Sequence, residues 1–74
     1  MTRDVALRTD GMLMGALGHL DGIAHYMKGN LPPEEYTELI KLIGAAMAET
    51  VELSSRLHAT FPDIVPKELK LDKQ

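Results

Sequence analysis

A chain of 74 residues without cysteine supports one small domain and excludes both disulfides and thiolate metal sites. Its formal net charge of −3 comes from 8 basic and 11 acidic residues. The positive residues are scattered, which disfavours the basic stripe of a nucleic-acid binder. No apolar run has the length of a signal sequence or a membrane span, so a cytoplasmic location is expected.

The first element is expected over about residues 3–28. Val5, Ala6, Met12, Leu13, Ala16, Leu17, Leu20, Ile23, Ala24 and Met27 recur on one arc at about 100° per residue. Thr2 has the side chain of an N-cap. Within this element, GMLMGALGHLDG places four glycines in twelve positions. The stretch lacks GxGxxG and GxxxxGK[ST], and no strand precedes it, so it is not a phosphate cradle. Asp10, His19 and Asp21 exclude a membrane helix. On a helical projection Gly11, Gly15, Gly18 and Gly22 instead fall together opposite the apolar arc, forming a bare stripe.

Each interior glycine costs a helix about 1 kcal/mol relative to alanine. That cost favours a close-packed second interface on the stripe over an open, hinge-like face or a ligand groove. Leu7 and Met14 flank the stripe on one side and Tyr26 on the other. Met12, Met27 and Met47 fall on the apolar arcs as gap-fillers, whereas Met14 lies off the arc and points to a partner surface.

The Gly29-Asn30-Leu31-Pro32-Pro33 run breaks the periodicity and predicts a tight connection between antiparallel helices. The second helix is expected over 33–60, with Pro33 near its first position and Glu34 and Glu35 facing its positive end. Tyr36, Leu39, Ile40, Ile43, Ala46, Met47, Leu53, Leu57 and Phe61 form its apolar face. The seven-residue step through Tyr36, Ile43, Thr50 and Leu57 has the spacing of a heptad seam. Glu52 and Arg56 stand four apart in the favourable order.

After Pro62 the tail PDIVPKELKLDKQ keeps Ile64, Val65, Leu69 and Leu71 among charges, with Pro66 able to open one short helical turn. The tail is expected either to fray or to fold back over the open end of the bundle, on the partner subunit. The organisation read from the sequence is thus an all-α antiparallel helical hairpin over 1–61 with a C-terminal tail over 62–74. Two such hairpins would dimerise into a four-helix bundle through an isologous interface, and a tetramer remains an alternative.

Chemistry-bearing residues are sparse. Asp21 and His25 are four apart and form the weak candidate for a metal pair, with a surface ion pair as the plainer reading. His58 is expected to pack or cap near the negative end of the second helix. Glu-x-x-His, the di-iron bundle motif, does not occur, and the glutamates of the second helix project away from the apolar arc. Ser54 and Ser55 are the only serines, and local spacing is read as giving neither a histidine base.

These features imply no cofactor, no resident metal and no enzyme. They point to a self-associating interaction or assembly module, with a protein partner and neither nucleic acid nor membrane. Its interface is expected to use Gly11, Met14, Gly15, Gly18, Gly22, Leu39, Ile43, Leu53 and Leu57. The second reading is a ligand- or metal-responsive bundle with Asp21, His25, His19 and Tyr26 at the subunit junction.

Overall fold

The computed structural model describes residues 1–65 and is all-helical over them: two helices of equal length packed against each other, followed by a short turn. Helix α1 spans Arg3–Asn30 and helix α2 spans Pro33–Thr60, each of 28 residues. A 3-10 turn follows at Pro62–Ile64. No described helix is long and apolar enough to cross a membrane.

Local chemistry sets the helix ends. Thr2 is extended and its Oγ1 accepts from the Val5 amide at 3.2 Å, closing the first turn of α1. The other end of α1 differs from the expected stop near residue 28. Gly29 and Asn30 stay helical, and the Asn30 side-chain amide donates to the Tyr26 carbonyl at 2.8 Å. The break falls at Leu31 and Pro32, both extended. The reason is steric: a residue that precedes proline is pushed out of the helical region, and the two consecutive prolines impose this on both Leu31 and Pro32. Pro33 then opens α2, where a missing N–H costs nothing.

The contact between the helices follows a stricter rule than the sequence arcs suggested. On α1 the seam runs through Ala6, Asp10, Leu13, Leu17, Leu20, Ala24, Met27 and Leu31, in alternating steps of four and three. On α2 it runs through Tyr36, Ile40, Ile43, Met47, Thr50, Ser54, Leu57 and Phe61. Every one of these residues is buried or half-buried. This 3.5-residue period is that of an antiparallel coiled coil. Thr50 enters the seam with its hydroxyl satisfied locally, donating to the Ala46 carbonyl at 2.8 Å.

The seam accounts for only part of each apolar arc. Val5, Met12 and Ile23 on α1, and Leu39, Ala46 and Leu53 on α2, are exposed rather than inward-facing. Met12 and Met14 exchange their expected places: Met12 is 63% exposed, while Met14 is half-buried beside the seam.

The tightest packing lies at the open end. There Ala6, Leu57 and Ile64 are buried, with Leu13 and Phe61 against them. Ile64 therefore folds back onto its own hairpin. An ion pair from Arg3 to Asp63 ties the start of α1 to the turn. The expected helical turn after Pro66, and the side chains of Leu69 and Leu71, lie outside the described residues.

Candidate functional site: a buried Asp10–Ser54–His58 cluster

Besides Thr50, two seam positions are polar where the heptad rule asks for apolar side chains, and these two face each other. Asp10 on α1 is 3% exposed and Ser54 on α2 is 4% exposed. The Ser54 hydroxyl donates to Asp10 Oδ1 at 2.6 Å. His58 lies one turn beyond Ser54, and its Nε2 stands 2.8 Å from Asp10 Oδ2 and 3.4 Å from Ser54 Oγ. A carboxylate is an acceptor only, so Nε2 carries the proton in this arrangement and donates it to Oδ2.

Burial pushes the Asp10 carboxyl towards the neutral form. The Ser54 hydroxyl, the His58 hydrogen bond and the His58 charge outweigh that push and hold its pKa below the ordinary aspartate range. Among the described residues no buried side-chain nitrogen or oxygen lacks a partner.

The order of the three groups decides what the cluster can do. In a nucleophilic triad the imidazole stands between hydroxyl and carboxylate and takes the hydroxyl proton. Here the carboxylate stands between the other two, and the serine proton is spent on it. Ser54 is buried and its hydroxyl is directed at Asp10 in the seam. The cluster links α1 to α2 through two side-chain hydrogen bonds.

Sequence reasoning missed this cluster. Ser54 and His58 are four apart on one helix, a spacing that does bring their side chains together, contrary to the reading that no histidine is placed beside a serine. Asp10 carried a signal too. It stands four after Ala6, three before Leu13 and seven before Leu17, in register with the seam. Its partners, 44 and 48 residues away, carried none.

The remaining candidates are dispersed. Asp21 and His25 form an exposed pair at 3.6 Å and line a depression with Ala24, Lys28 and Tyr36. His19 and Tyr26 line a different one, with Gly15, Gly18, Gly22 and Ile23. One hairpin therefore does not bring Asp21, His25, His19 and Tyr26 to a single site. Among the described residues no three histidine or carboxylate side chains converge as a metal site would require.

Of the residues expected at an interface, Leu57 belongs to the intrachain core and Ile43 to the seam. Met14 lines a depression with Leu17, Val51, Ser54, Ser55 and His58. Leu39 and Leu53 stay exposed. The four glycines of the stripe are exposed, and a methyl group added at any of them meets no atom within 4 Å. Gly11→Ala and Gly22→Ala are therefore each expected to stabilise the fold by about 1 kcal/mol, read as a higher urea midpoint. A lower midpoint, or loss of assembly, would show that a partner packs on this back face.

No protein-family model, no curated protein and no solved structure matches this chain.

Proposed function

We propose that this chain is a non-catalytic, self-associating helical module, whose hairpins pair into a four-helix bundle that serves protein interaction or assembly. The observation that carries the reading is the poverty of the intrachain core. Among the described residues three apolar residues are buried, Ala6, Leu57 and Ile64, and no large side chain is fully buried. Meanwhile Val5, Met12, Ile23, Leu39, Leu42 and Leu53 stand open to water. A domain this small needs staples or a partner, and without cysteine it has no disulfide. A partner required for folding itself has to be present whenever the chain is made, and a second copy meets that condition.

Sedimentation equilibrium is expected to give twice the chain's 8.2 kDa at micromolar concentration. The melting temperature should rise with protein concentration, because assembly is linked to folding by mass action. A dilute monomer with a sharp, concentration-independent melt would overturn the reading.

A further inference from the structure

Most of the large exposed apolar residues gather on one flank of the hairpin, with Leu7, Tyr26 and Val51 elsewhere. One flank of the seam carries Met14, Val51, Ser55 and His58, which share a depression, and Asp21, His25 and Lys28, which share another. At 100° per residue, Val5, Met12, Ala16 and Ile23 of α1 fall on the opposite flank, with Leu39, Leu42, Ala46 and Leu53 of α2. The Asp10–Ser54 contact fixes their heights along the seam. Met12 lies nearly level with Leu53 towards the open end, and Ile23 nearly level with Leu42 towards the turn. Ala16 and Ala46 lie between them, as a waist of small side chains at mid-length.

Resting on the self-association reading, we infer that a second copy docks on this flank reversed end to end, with the two-fold axis perpendicular to the helices and passing the Ala16–Ala46 waist. Area and charge both favour that occupant. A face of two 28-residue helices measures roughly 40 by 20 Å, or about 800 Å² per partner, the size of a standard stable interface. Its rim carries Arg8 and Arg56 level at the open end, Arg56 also pairing with Glu52 of its own chain at 2.8 Å, Glu49 near mid-length, and Glu35 and Glu38 at the turn end.

Reversal sets each α2 against its counterpart in the other copy, so that Leu53 meets Leu39 of that copy and Arg56 meets Glu35. The two alanine waists meet each other, where the absence of bulk lets the backbones approach. The alternative two-fold axis, parallel to the helices, stacks each α1 on an α2 at equal height. It brings Arg8 against Arg56 at the open end and leaves the glutamates at the turn without a cation. Like charges placed opposite each other select against that pairing.

The natural chain has no cysteine, so single-cysteine variants report orientation cleanly. Under mild oxidation Ala46→Cys is expected to form a disulfide with its own counterpart, and Ala16→Cys likewise, since each lies near the axis. Arg56→Glu should weaken association about tenfold, and Glu35→Arg in the same chain should recover it. Cross-linking only in a mixture of Ala16→Cys with Ala46→Cys would establish the parallel axis and overturn the inference. A dimer by sedimentation that forms no cross-link at either position would place the interface elsewhere and overturn it as well. A monomeric mass for the unmodified chain is a different failure, that of self-association itself.

Discussion

Asp10→Ala is expected to destabilise the protein by about 3 kcal/mol, a large share of the roughly 5–15 kcal/mol that holds a domain together. The truncation removes one carboxylate but strands two donors. The buried Ser54 hydroxyl at 2.6 Å and the half-buried His58 Nε2 at 2.8 Å lose their common acceptor, and an unsatisfied buried group costs about 1–3 kcal/mol. Asp10→Asn keeps an acceptor for Ser54 at the same place and should cost less than half as much. Replacing the cluster as a whole, with Asp10→Leu, Ser54→Ala and His58→Leu together, should be near neutral or stabilising, because no polar group is then left without a partner. Urea midpoints at one fixed protein concentration separate the three variants. If Asp10→Ala and the triple variant are equally unstable, the loss reflects packing and not stranded donors.

The same carboxylate sets an acid limit. Its pKa is held below the unfolded value, so the unfolded chain binds the proton more readily than the folded one. The stability it contributes is fully present above the unfolded aspartate pKa, near 4, and is lost as pH falls through the lower folded value. Unfolding midpoints measured from pH 7 down to pH 2 should fall over that acid range, and Asp10→Asn should flatten the fall.

The second large effect is expected from Leu39→Glu combined with Leu53→Glu. Both leucines are over 40% exposed in the hairpin, so neither substitution empties the intrachain core. In an assembled bundle the pair places four carboxylates, two from each copy, where apolar side chains meet. Losing the burial of four leucines at about 1.5 kcal/mol each removes about 6 kcal/mol, some four orders of magnitude in the dimer dissociation constant. Sedimentation at micromolar concentration should then find monomer, accompanied by loss of the cooperative melt. Val51→Glu is the control: it places the same charge on the opposite flank of α2, at a residue just as exposed, and should leave assembly intact. A double variant that remains dimeric would remove the apolar flank from consideration as the docking face.

Much of the architecture was legible in the residues because its causes are local. Thr2 caps α1 through an amide three residues away, and the prolines fix the turn through sterics on adjacent residues. The run from Tyr36 through Ile43, Thr50 and Leu57 announced the seam of α2 through helical period alone. What period could not do was divide a broad apolar arc into a seam and a flank. Leu53 and Leu57 look equivalent on a helical projection, yet one is open and the other buried, because the division depends on where the neighbouring helix lies. Asp10 was the harder case. A charged residue is assigned to solvent by default, and only the approach of α2 brings Ser54 and His58 to its two oxygens.

Two helices, three of their four ends and the turn between them could be read from the residues, since hydrogen bonds and steric clashes over a few positions decide them; only the end of α1 runs two residues past its expected stop. Only the packing of the helices brings the buried Asp10 and Ser54 together with the half-buried His58, and leaves Leu39 and Leu53 outside the core while Leu57 lies within it. Contacts between residues more than forty positions apart depend on how two rigid helices are placed against each other, and no short-range pattern encodes that placement.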